Sequence, residues 1–233
     1  ARSVKHRYLW VFKPLTHLSD EKKQPAHYLV VPAGGTGLVL RGLRKEPATI
    51  GKWHLGWDWT HKEGKAKTVD NIGFTKRVAN GPTDRGFDYF YGLTSPSGPP
   101  HLYMVNDMAE KQPNTRFEES GGGLYKIKGG IGHSDWSADG MQPHLADKML
   151  EYLDENKDSD KPFFLYMALT APHIPLFPSK EFKGKSKIGD YGDLVMMIDD
   201  IVGRVNRKLK EIGNYDNTIV MFAADNGCAG YIN

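Results

Sequence analysis

Several polar groups in this sequence stand directly after apolar runs, where a strand would end. Lys52 and His54 lie two residues apart in Gly51-Lys52-Trp53-His54-Leu55-Gly56. On an extended segment such positions point to the same face, so both side chains could address one anion. His173 is bracketed by prolines in Ala171-Pro172-His173-Ile174-Pro175, just past an apolar run ending near Thr170. Asp225-Asn226-Gly227 follows the run Thr218–Ala224, and a carboxylate beside an amide oxygen is a hard donor pair suited to Ca²⁺ or Mg²⁺. Each group alone has a plainer reading. Lys52 is then a solvated loop lysine, His54 a histidine bonded to backbone, His173 a structural turn residue, and Asp-Asn-Gly a common turn. Together they form a set for binding a tetrahedral oxyanion beside a hard metal. The cations would stabilise the transferring group, and a histidine would protonate the leaving oxygen.

Such a set needs strands that end at one side of a sheet. Ala48-Thr49-Ile50 leads into Gly51 as a strand running out into a loop. Phe163–Leu169 is a continuous apolar run opened by Pro162, suited to a strand buried on both faces. Thr218–Ala224 is another. Between them, Leu194, Met197, Ile198, Ile201, Val205, Leu209 and Ile212 repeat at helical spacing over about six turns, stopped by Gly213. A shorter helix is expected from Pro143, with Leu145, Met149, Leu150 and Leu153 on one face, and another over 36–45. The alternation of helix and buried strand predicts an α/β domain with a largely parallel sheet, in which ligands bind beyond the carboxyl ends of the strands. Residues 57–142, rich in Gly, Pro, Asn and Asp, read as loops and small excursions.

Composition narrows the function. The 233 residues carry 31 Lys+Arg against 28 Asp+Glu, a net charge of +3, with 39% hydrophobic residues. That is a globular balance. The small, well-mixed basic surplus argues against a nucleic-acid groove. No apolar run approaches the roughly 20 residues of a membrane-spanning helix. The single cysteine, Cys228, forbids an internal disulfide. At the N-terminus, Tyr8–Phe12 is shorter than a signal-peptide core of about 7–15 residues and reads as a short strand or lead.

The ordered motifs resemble the sulfatase family, in its arylsulfatase branch within the alkaline-phosphatase-like superfamily. Gly51–Gly56 is similar to the family's second signature, supported by Arg85-Gly86-Phe87-Asp88-Tyr89-Phe90-Tyr91-Gly92, by Ala171–Pro175 and by the strand into Asp225-Asn226-Gly227. The resemblance covers roughly 32–233. It implies an alkaline-phosphatase-like sandwich, here incomplete, with a largely parallel central sheet flanked by helices. It implies a sulfuric ester hydrolase acting on a sulfated small molecule or carbohydrate, in an exported setting (periplasmic, secreted or lysosomal). Lys52 would bridge sulfate and nucleophile, His54 would assist breakdown of the sulfated intermediate, and His173 would contact sulfate and help the alcohol leave. Ser95 or Ser97 would add a serine contact to the substrate, with Ser95 taken as the site residue. Asp225 and Asn226 would supply half of a Ca²⁺ shell, Mg²⁺ being the alternative.

The family's formylglycine nucleophile arises from Cys/Ser-x-Pro-x-Arg, and that motif is absent here. Cys228 is followed by Ala229-Gly230, and Ser97-Gly98-Pro99-Pro100-His101 lacks the arginine. The aspartate pair of a first strand and a later lysine are also missing from the pattern. The expectation is therefore a partial catalytic domain over 32–233 behind an atypical lead over 1–31, cut at both ends and with little or no turnover of its own. A missing first strand would leave a sheet edge or core face open. Two alternatives remain: a non-catalytic relative that binds sulfated ligands, and, less favoured, a phosphatase or phosphodiesterase of the same superfamily.

Overall fold

The computed structural model describes residues 7–12, 46–159 and 162–224. The helix expected over 36–45, together with Asp225 and Asn226, lies outside these residues.

In chain order the strands are β1 (Arg7–Phe12), β2 (Glu46–Lys52), β3 (Tyr89–Leu93), β4 (Met104–Val105), β5 (Met108–Ala109), β6 (Thr115–Phe117), β7 (Gly130–Gly132), β8 (Phe163–Leu169) and β9 (Ile219–Ala224). The helices are α1 (Met141–Glu155) and α2 (Gly189–Glu211). Seven strands form one sheet in the order β5-β4-β3-β2-β8-β1-β9, and β6 pairs with β7 in a separate ribbon. β2 runs parallel to both β3 and β8. β1 is antiparallel to β8 and to β9, so β8 and β9 point the same way. β4 opposes β3 and β5, leaving five of the seven strands in one direction and two (β1, β4) reversed.

β8 shows why the apolar run is continuous. Phe163, Leu165, Met167 and Leu169 face one side, in a core shared with Ala48 and Ile50 of β2, Leu145, Met149 and Leu153 of α1, and Leu194, Ile198 and Ile201 of α2. Phe164 and Tyr166 face the other side, against Phe87 and Trp53. With two buried faces, neither set of alternate residues can be polar. Among the described residues both helices cover the first face. The second is covered by the chain between β2 and β3, whose Ile72, Phe74 and Val78 pack on Phe90 and Met104.

The stretch 57–142 is more ordered than its composition predicts. β3 arises inside it and joins the main sheet beside β2, and the rest is pinned by aromatic packing. Trp57 stacks on Trp59 at 5.8 Å, and Trp59 meets Phe74 edge-on at 5.9 Å. The Gly, Asn and Asp content that signals loops is spent on tight turns. Buried aromatics between those turns carry the order.

Two glycines let the three central strands close up. Gly51 has φ 133°, and a Cβ there would lie 2.0 Å from the Ala168 carbonyl oxygen. A Cβ on Gly92 would lie 1.8 Å from the Gly51 carbonyl oxygen. Gly51 pairs with Gly92 of β3 and with Ala168 of β8, so two glycines and an alanine occupy the row just before the strand ends.

Candidate active site

Three adjacent parallel strands, β3, β2 and β8, release their chains at the same end of the sheet. Lys52 is the last residue of β2, in register with Leu93, the last residue of β3. It is only 5% exposed. His54 follows on the surface with φ 49°, in the left-handed region that L-residues adopt at a cost. The kink separates it from Lys52: the lysine is packed at the strand end while the histidine is exposed, and the shared face expected of an extended segment is lost.

His173 lies four residues beyond the end of β8. Its backbone N–H donates to the Thr170 carbonyl at 3.3 Å. Its Nδ1 lies 2.5 Å from the Ile174 carbonyl oxygen. A carbonyl only accepts, so Nδ1 carries a proton. Nε2 is then the nitrogen that gains or gives up a proton with the charge state of the ring.

Ser95 follows β3 by two residues. Its hydroxyl accepts from the Ser97 N–H at 3.4 Å, while the Ser97 carbonyl accepts from Lys128 N–H at 2.9 Å. The next residue, Pro96, lines a cleft with Met141, Gln142, Thr170, His173 and Phe177. The loops after β3 and β8 thus meet over the start of α1.

Gln142 and Thr170 carried no signal in the sequence reading. Gln142 Oε1 accepts from the Thr170 backbone N–H at 3.2 Å and from its hydroxyl at 2.5 Å. Both residues are buried. The pair ties the first turn of α1 to the chain leaving β8, which sets the origin of the His173 loop.

Asp225 follows the last residue of β9 in the chain. Ala224, the last described residue, is in register with Arg7, which in turn is in register with Leu169 at the end of β8. The ends of β9 and β8 are therefore level, two strand spacings or about 10 Å apart. Among the described residues no group of three or more His, Cys, Asp or Glu side chains could hold a metal ion.

A family model described as Sulfatase matches residues 39–231. The chain belongs to the sulfatase family. N-acetylgalactosamine-6-sulfatase of Sus scrofa is 31% identical over 195 residues, spanning 82% of this chain and 32% of that protein. N-acetylgalactosamine-6-O-sulfatase of Bacteroides thetaiotaomicron is 26% identical, spanning 76% of this chain and 39% of its own length. Among solved structures, a Bacteroides thetaiotaomicron chain described in connection with the metabolism of multiple glycosaminoglycans superposes with a TM-score of 0.57 at 20% identity, over 75% of this chain and 41% of that one. That likeness concerns the fold: a mixed, mostly parallel sheet with flanking helices, part of an alkaline-phosphatase-like α/β domain. This sulfatase chain spans about a third of the length of the curated relatives it matches.

Other aromatic and histidine side chains of this sulfatase chain are part of its packing. Buried His101 sits between Phe117 and Trp136, its Nε2 2.7 Å from the Lys128 carbonyl oxygen. Tyr103 stacks on Tyr91 and on His144 at 5.8 and 4.3 Å. Trp57 and Trp59 belong to the aromatic layer over Phe90.

Proposed function

We propose that this chain is part of a sulfuric ester hydrolase that cleaves a sulfate ester to an alcohol and sulfate. The observation that supports it is the release of Lys52, Ser95 and His173 from three neighbouring strand ends. Lys52 offers a cation at the base of the site, where low exposure strengthens its attraction for a sulfate oxygen. Ser95 offers a short polar contact from the β3 loop. His173, with Nδ1 held by a carbonyl, presents Nε2 to the bridging oxygen and donates a proton as the alcohol leaves. His54, on the exposed shoulder, would offer a second imidazole for proton exchange at the edge of the site. On this reading residues 32–233 are catalytic-domain sequence, and Arg7–Phe12, expected in a separate lead, joins the same sheet between β8 and β9. The substrate class is a sulfated carbohydrate, in keeping with relatives named for N-acetylgalactosamine 6-sulfate chemistry.

Formylglycine does not fit residues of this chain, which has no Cys/Ser-x-Pro-x-Arg. Ca²⁺, with Mg²⁺ as alternative, would be held by Asp225 and Asn226 and would neutralise charge on a sulfate oxygen. A metal that binds only the folded chain raises its melting temperature with concentration. Ca²⁺ is expected to do so here, and Asp225→Ala to abolish the shift. An unshifted melt in millimolar Ca²⁺ would remove the metal from the proposal.

Calorimetric titration of the chain with galactose 6-sulfate tests the site itself. Lys52→Ala and His173→Ala are each expected to weaken binding about tenfold or more, the scale of a charged hydrogen bond. Affinity unchanged in both variants would sink the assignment.

A further inference from the structure

Gln142 presents a feature that neither its fold role nor the sulfate site explains. It is 2% exposed, and its Nε2 has no hydrogen-bond partner among the described residues. Amide oxygen and nitrogen are interchangeable in outline, so the assignment must come from the partners. Here it does: the Thr170 backbone N–H can only donate, which makes the atom facing it Oε1. Nε2, with two N–H groups, is therefore turned away from Thr170. Gln142 lines the same cleft as His173 and Pro96, whose other walls include the apolar side chains of Met141, Phe177 and Leu194. Among the described residues, none of the groups lining the cleft accepts a hydrogen bond from Nε2. Buried amide donors are nearly always satisfied, and an exception beside a cleft points to an acceptor that arrives with a ligand.

We infer that Gln142 Nε2 is a specificity-determining donor that receives a hydroxyl or ring oxygen of the leaving alcohol. This rests on the proposed reading that His173 meets the bridging oxygen of a sulfate ester. The cleft then discriminates by chemistry. A sulfated sugar brings an acceptor oxygen to the amide, while a simple alkyl sulfate leaves the donor unpaired. Sites built to hydrogen-bond a substrate oxygen reject analogues that lack it more strongly than apolar pockets reject a missing methylene. Gln142 does not touch the sulfur in this scheme. It orients and selects the group that departs.

The test is an NMR titration of the ¹⁵N-labelled chain, with the Gln142 side-chain NH₂ pair and the His173 ring assigned. The probes are galactose 6-sulfate, ethyl sulfate and inorganic sulfate. Galactose 6-sulfate is expected to shift both the His173 ring and the Gln142 NH₂ pair, whereas the other two shift His173 alone. Gln142→Met is expected to weaken galactose 6-sulfate about 3–10-fold more than it weakens ethyl sulfate. Galactose 6-sulfate that moves His173 but not the Gln142 pair overturns the inference and leaves the sulfate site standing. No response of His173 to any probe overturns the underlying reading, and this inference with it. The wild-type NH₂ signals decide between these outcomes even if Gln142→Met fails to fold.

Discussion

Single residues in this chain are often decided by what surrounds them. Tyr91 has one hydroxyl proton, with Glu110 Oε2 at 2.7 Å and His144 Nε2 at 2.6 Å. Donated to the carboxylate, that proton leaves the Tyr91 oxygen to accept from His144 Nε2–H. Burial and the bond to Glu110 push the Tyr91 hydroxyl far above its ordinary range. Burial lowers His144 below its usual 6.5, against the opposing pull of Glu110, Asp147 and Glu151 and alongside the charge of Lys148. A histidine depressed in the folded state binds fewer protons there than in the unfolded chain. Its stabilisation is complete above 6.5 and is lost as pH falls below that value. His101, also lowered by burial, acts in the same direction. The melting temperature is expected to drop as pH is taken from 7.5 towards 5.5. His144→Gln should flatten part of that slope in a pH series of thermal melts, and an unchanged slope would count against this account. Gly51 is constrained more simply. A methyl there meets the Ala168 carbonyl oxygen at 2.0 Å, in a backbone conformation that side chains disfavour. Gly51→Ala should cost about 2–3 kcal/mol in urea unfolding, through overpacking between strands.

At the scale of elements, the entry into α2 depends on one buried carboxylate. Asp193 is fully buried, and it accepts from the Gly184 N–H at 2.7 Å and the Ser186 N–H at 2.6 Å. It folds the loop before the helix back onto the helix's own first turns. Asp193→Ala should cost about 2–3 kcal/mol, the worth of charge-assisted bonds plus two amides left without their acceptor. Hydrogen exchange should speed up first at Gly184 and Ser186. Protection retained at both would show that the loop is held by its other contacts, such as the ion pair of Lys183 with Asp190 at 2.6 Å.

Across the described residues, the main sheet has β5 at one edge and β9 at the other. β1 fills the position between β8 and β9, and β9 forms the edge. β9 exposes Ile219 by 54%, Met221 by 38% and Phe222 by 48%. An edge strand with unpaired backbone groups and apolar side chains is a template for association with another chain. Phe222→Lys is expected to raise the monomer fraction in light scattering at a given concentration while leaving the melting temperature within a degree or two. An unchanged size distribution would move the source of association elsewhere.

Much of this arrangement was legible in order and composition. The run Phe163–Leu169 announces a strand buried on both faces because both alternating sets of residues are apolar. The spacing from Leu194 to Ile212 announces α2 because one stripe meets the sheet. Gly51-Lys52-Trp53-His54 marks the family and places Lys52 at a strand end. The sequence could not show that β3 belongs to the central sheet, because its turn-rich surroundings mask a five-residue strand. Nor could it show that His54 turns away from Lys52, since a single left-handed residue leaves no periodic trace. Gln142 is the clearest case. In the sequence it is an ordinary polar residue at a helix start, and only packing against Thr170 removes it from water and directs its amide. Periodicity reports whether a face is buried. Which groups meet at one end of the sheet depends on the order and register of strands far apart in the chain, and that is decided only when the chain folds.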